Sequence, residues 1–262
     1  MKSTITVFIH GTTPLEYLIF KPEFIKNFFS CPQGLVKATE INDNLHFKEV
    51  VSTLSKADSK HFPIENFYLF GWNGKLSFIE RKQAAEKFKA ELESLISSYD
   101  PETKVNLITH SHGGNIVLNM ADCKKLNIKI DKLIMLACPV QEKTSHLINS
   151  DTFKTVYAIH SHADIIQVID PQGIKELSEM INDGISNITL KKIPKPQMFF
   201  SHRHFKPSEK LRQIEVSFPR RRLTHLDFLL TRFLKQLPEL IQNIDKSVYS
   251  GSSIDEIRMT LK

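Results

Sequence analysis

The hydrophobic and polar positions fall into short apolar runs closed by turn residues, alternating with longer stretches of helical spacing. Residues 3–9 alternate Thr, Ile, Thr and Val and finish Phe8-Ile9, which predicts a buried strand ending at His10-Gly11-Thr12-Thr13-Pro14. Similar runs at 66–71, 104–109, 132–137, 155–159 and 213–218 predict further strands. Residues 186–193 read as a strand or a hairpin arm. Between them, Ser77-x-x-Glu80 is a capping-box signature for a helix with Ala85, Phe88, Leu92, Leu95, Ile96 and Tyr99 on one face, stopped by Asp100-Pro101. Helical spacing also marks Ile116, Val117, Met120 and Ala121, the segment Pro171–Met180, and Leu226, Leu229, Leu230, Phe233 and Leu237. A Ser/Gly-rich break at 248–253 precedes one expected terminal helix at 254–261. The apolar stretch 15–29 reads either as a helix covering the sheet edge or as a lid over an apolar pocket. Residues 194–207 read as an irregular aromatic and histidine-rich loop.

Strands alternating with helices predict one doubly wound, mostly parallel α/β sheet. A length of 262 residues, 41% hydrophobic content and 18 Phe residues are enough for a sizeable core, and no linker or repeat divides the chain. The expected organisation is one domain over 1–262, with lid or cap elements at 14–55 and 194–208. Net charge is +6, spread along the chain, and the densest cluster is Arg220-Arg221-Arg222. This gives a weak preference for an anionic surface or substrate. No nucleic-acid signature accompanies it, so no nucleic-acid partner is expected. Three widely spaced cysteines, Cys31, Cys123 and Cys138, suit free thiols in a reducing compartment. No 18-residue apolar window and no cleavage site after the first apolar run are found, so a cytoplasmic location is expected. The oligomeric state stays open.

The chemistry centres on Thr109-His110-Ser111-His112-Gly113-Gly114, which follows an apolar strand and opens a helix. A serine on such a corner is held with its hydroxyl exposed at the end of a sheet. A serine hydroxyl needs a base to take its proton, and the base needs a carboxylate to fix its tautomer. In a parallel sheet these groups come from loops at the carboxyl ends of strands. Asp164 follows the fifth strand and His225 the last one. Asp170 competes for the acid, and His202 and His204 for the base. Asp227 reads as a first-turn helix residue, His10 and His110 as structural histidines, Cys138 as a small buried residue at a strand end, and Trp72 as packing at a strand end.

With Val7-Phe8-Ile9-His10-Gly11-Thr12, the serine corner, the Asp164 loop and Thr224-His225-Leu226-Asp227 in this order, the chain resembles serine hydrolases of the α/β-hydrolase fold, of the lipase/esterase type. Phe70-Gly71-Trp72-Asn73-Gly74, followed by Arg81 and Ala84-Ala85, adds to the resemblance. The resemblance implies a three-layer sandwich with a sheet of six or seven strands, trimmed at its N-terminal edge because no strands precede residue 3. It implies Ser111 as nucleophile, His225 as base, Asp164 as acid, and an oxyanion hole from the backbone N–H groups of Thr12 and His112. Thr109 replaces the first glycine of the usual Gly-x-Ser-x-Gly. The expected substrate is a small-molecule or lipid ester, with transient membrane-surface contact and with no cofactor or metal.

Two other classes are carried. His160-x-His162-x-Asp164 has metal-ligand spacing and resembles the signature of metallo-β-lactamase-like hydrolases, with Ile165 in place of the final His. A binding protein that keeps the fold without catalysis is the other.

Overall fold

The computed structural model describes residues 3–13, 22–123, 128–168, 201–249 and 257–262. Among these, nine strands form one sheet: β1 (Thr4–Ile9), β2 (Gly34–Lys37), β3 (Phe67–Gly71), β4 (Lys104–His110), β5 (Ile130–Leu136), β6 (Phe153–His160), β7 (Leu211–Phe218), β8 (Arg221–Arg222) and β9 (Ile257–Thr260). The order is β2-β3-β1-β4-β5-β6-β7-β8, with β9 also paired to β7. All neighbours are parallel except β2 on β3 and β8 on β7. This is an α/β fold with a mostly parallel open sheet.

Parallel strands are joined by crossovers that cover both faces, so their side chains are buried on both sides. The sequence obeys this residue by residue. Ile5, Val7 and Ile9 of β1 pack into one core with α3 (Phe78–Ser97) and α4 (Gly113–Ala121). Phe8, with Ile108 and Ile134 of the neighbouring strands, packs into the other with α2 (His46–Ala57) and Leu240, Ile241 and Ile244 of α5 (Leu237–Tyr249). Ser77 caps α3 by accepting the Glu80 N–H at 3.4 Å, as the capping signature predicts.

Three elements differ from the sequence reading. The apolar stretch 15–29 yields a helix, α1 (Glu23–Phe29), in its described part. Beyond it β2 closes the sheet edge from a segment downstream of β1, in antiparallel register Gly34↔Gly71. Residues 257–260 are strand β9, not the end of a helix: Ile257 and Met259 face the core while Arg258 and Thr260 face out, a period of two. The amphipathic run after His225 is broken rather than continuous. His225–Leu229 is a 3₁₀ turn, Leu230 is extended, and Thr231–Leu234 precedes α5. Thr224 and Asp227 cap that tight turn reciprocally, and Leu226 and Leu230 are left 38% and 41% exposed. The helix expected at Pro171–Met180, the strand at 186–193 and Asp170 lie outside the described residues.

Candidate active site

The carboxyl ends of β1, β4, β6 and β7 lie at one end of the sheet because those strands are parallel. Ser111 follows β4 at φ 53°, a left-handed conformation costly for a residue with a side chain. Its N–H donates to Leu136 O at 2.8 Å. Missing side chains permit the corner. A Cβ on Gly11 would stand 2.5 Å from Ser111 Cβ, and one on Gly113 would stand 2.5 Å from Ile9 O and 2.7 Å from His10 O. The start of α4 is therefore pressed onto the end of β1. Thr109, in place of the first motif glycine, is accommodated by Gly114, whose Cβ would stand 3.2 Å from Thr109 Oγ1. Gly113→Ala is expected to lower stability by about 1–3 kcal/mol, because backbone has to give way. A urea titration of the variant measures this.

His225 and Asp164 meet as the sequence order requires. His225 Nδ1 lies 2.8 Å from Asp164 Oδ2, with the residues 6% and 1% exposed. The second carboxylate oxygen accepts the Gln167 N–H at 3.1 Å. Asp227, by contrast, is a cap: Oδ2 accepts from the Thr224 N–H and hydroxyl, both at 2.7 Å, and Oδ1 pairs with Arg221. Burial opposes its ionisation, but these bonds prevail and hold the carboxyl below its usual range.

Three further histidines, His10, His110 and His112, are buried fixtures held toward the neutral form. The Trp72 N–H donates to His10 Nε2 at 3.1 Å, so the ring proton is on Nδ1 and donates to Gly11 O at 2.7 Å. Burial pushes the pKa of His10 down to about 4. Trp72 stacks on that ring and donates its indole N–H to His10 O, a packing role. His110 donates from Nε2 to His225 O at 3.0 Å, and burial first, then the neighbouring His225, holds its pKa well below the usual value. Burial and the Arg81 guanidinium do the same to His112.

A cleft of about 380 Å³ opens over this corner. Thr12, Ser111, His112 and His225 form its polar wall. Phe29, Phe47, Leu76, Ile166, Leu226 and Leu229 form the apolar one. Neither the Thr12 N–H nor the His112 N–H is engaged by another described residue.

The histidines of 202–204 lie elsewhere. His202 bridges Val140 through its backbone, and His204 Nε2 lies 3.1 Å from His160 Nε2. His160 and Asp164 thus have separate partners. Among the described residues no group of three or more His, Cys, Asp and Glu side chains converges to hold a metal ion. Residues 201–205 fasten the Asp164 loop: Arg203 Nη2 donates to Asp164 O at 2.7 Å, its Nε to Ser161 O at 3.4 Å, and the Ser201 N–H to Val168 O. Phe205 is core.

Two supporting residues escaped the sequence reading. Asn115 donates to Pro139 O at 2.9 Å and accepts from Thr144 Oγ1 at 2.6 Å, tying α4 to the turn after β5. An Asn at the start of the apolar run Ile116-Val117-Leu118 was its only sequence signal. Arg203 had none, since its loop follows no period.

No protein-family model and no curated protein matches the chain. Among solved structures it is similar to an alpha-beta serine hydrolase homologue from Coxiella burnetii, at 15% identity over 93% of this chain and 86% of that one, with a TM-score of 0.45. It is similar to a lidless serine hydrolase from Xanthomonas campestris, at 14% identity over 93% and 82%, TM-score 0.41. It is also similar to acyl-protein thioesterase 2 from Zea mays, at 11% identity over 95% and 94%, TM-score 0.42. All three scores are below 0.5. The strand–turn–helix corner at Ser111, set on a mostly parallel open sheet, has the form of a nucleophile elbow. No described helix is long and apolar enough to cross a membrane.

Proposed function

We propose that this chain is a serine hydrolase that cleaves a carboxylic ester with an apolar acyl chain through Ser111, His225 and Asp164. The observation that carries this reading is the buried 2.8 Å bond between His225 Nδ1 and Asp164 Oδ2, with the His225 ring on the wall of the cleft that also exposes Ser111. With Nδ1–H given to the carboxylate, Nε2 is the lone-pair nitrogen available as a base.

In this mechanism His225 Nε2 takes the Ser111 hydroxyl proton as Oγ attacks the ester carbonyl. The oxyanion accepts hydrogen bonds from the Thr12 and His112 N–H groups, which need not break protein bonds to serve it. Asp164 stabilises the imidazolium, which then protonates the leaving alcohol. A water deprotonated by His225 releases the acid from Ser111. No hydrogen bond joins Ser111 Oγ to a described residue before substrate enters, so the first link forms on binding.

The apolar wall from Phe29 to Leu229 supports an acyl-chain or lipid substrate. Arg220 and Arg222, exposed on the turn that leads to His225, suit transient contact with an anionic membrane surface. The three free thiols suit a cytoplasmic setting.

The test is stoichiometric labelling by a fluorophosphonate, followed by an ester series. Rates are expected to rise from acetate to octanoate and to be unaffected by a chelator. No gain with chain length sinks the acyl-chain version. Turnover lost to the chelator replaces serine catalysis by a metal hydrolase, and a folded protein that neither labels nor turns over is a binding module.

A further inference from the structure

We infer that His110 is a positioning residue that sets the approach of His225 to Ser111; this rests on the serine-hydrolase reading above. His110 is the last residue of β4 and the immediate neighbour of Ser111. His225 lies past β8, with β5, β6 and β7 between the two strands in the sheet. The nucleophile and the base are thus carried by elements that share no backbone pairing. The Nε2–H of His110 crosses that distance and donates to the main-chain carbonyl of His225 at 3.0 Å. The two rings also pack at 4.7 Å between centroids, with planes 53° apart. Both residues are buried, so water does not compete for this bond.

The bond complements the other support of His225. Asp164 fixes the rotation of the imidazole through Nδ1, from the loop after β6. His110 fixes where the backbone of His225 stands relative to the strand that carries Ser111. A base held in rotation but free to drift by an ångström loses its aim at Oγ, and such a misplacement costs about 100-fold in rate. His110 touches no reacting atom in this arrangement; it works through the carbonyl of its partner.

The experiment compares His110→Phe, His110→Asn and His110→Gln, with rates normalised to fluorophosphonate-titrated sites. Phe keeps the ring volume and lacks the donor. Gln places an N–H where Nε2 stands, and Asn falls a methylene short. His110→Phe and His110→Asn are expected to lower kcat by about 30- to 100-fold with KM within about threefold of wild type. His110→Gln is expected to recover kcat to within about tenfold of wild type. A general loss of folding lowers the titrated fraction and leaves kcat per site unchanged. Should the Phe variant not fold, the Gln and Asn pair decides alone. A kcat per site within twofold of wild type in His110→Asn overturns the inference, as does an equal loss in Asn and Gln. Wild-type protein that does not label at all overturns the serine-hydrolase reading instead.

Discussion

Ser111→Ala is expected to lower ester turnover by about a million-fold and to abolish fluorophosphonate labelling, while leaving the fold intact. Asp164→Asn is expected to lower kcat by about ten-thousand-fold. Ser111 Oγ bonds to no described residue, so its removal leaves no polar partner unsatisfied. The Asp164 change is chemically sharper. An Asn fits the same space, and its oxygen can still accept from His225 Nδ1 or from the Gln167 N–H. What it lacks is the charge that stabilises the imidazolium when His225 holds the Ser111 proton. Its amide can also donate to Nδ1, which moves the ring proton to Nε2 and leaves no base facing the serine. Single-turnover kinetics measure acylation directly, and thermal melting shows whether the variant is folded. An Asp164→Asn enzyme within tenfold of wild type assigns the acid to another carboxylate.

The parts of the fold that follow a period were legible in the chain. β1, β3, β4, β5, β6 and β7 were each foreseen, because strands buried on both faces leave continuous apolar runs. The corner at Ser111 was legible because Gly113 and Gly114 supply a close approach that only glycine allows. Ser111, Asp164 and His225 were singled out by order; parallel strands bring their following loops to one end, where His225 bonds Asp164 and shares a cleft with Ser111. The misses share a physical origin. β2 is four residues long and follows a Phe-rich stretch without alternation of its own, so its edge pairing leaves no pattern. β9 was taken for a helix because four residues hold too few positions to separate a period of two from one of 3.6. The run after His225 has a helical stripe, but the cap between Thr224 and Asp227 closes a tighter turn first. The role of residues 201–205 as a fastening for the Asp164 loop depends on side-chain-to-backbone bonds from Arg203 and Ser201, which no spacing announces.

Acidification is expected to destabilise the protein steeply between pH 6.5 and about 4. His10, His110 and His112 are buried, and burial lowers the pKa of each, to about 4 for His10. In the unfolded chain each returns to about 6.5. Below that pH the unfolded state takes up protons that the folded state refuses, so stability is present above the unfolded pKa and is lost as pH falls. Each such histidine contributes a slope of up to about 1.4 kcal/mol per pH unit, and three together about 4. Against a total stability of about 5–15 kcal/mol, two or three units of acid suffice for unfolding. Urea midpoints at half-unit steps from pH 7.5 to 4.5 measure the slope, and His112→Gln removes about one proton from it. A midpoint unchanged from pH 7 to 5 rules out the neutral, buried state of these rings. That state also bears on the proposed mechanism. His110 packs against the ring of His225, and a charge there would oppose the imidazolium that the proposed mechanism requires of His225. Acid therefore weakens the fold through buried neutral rings, one of which, His110, keeps charge away from the base of the proposed mechanism.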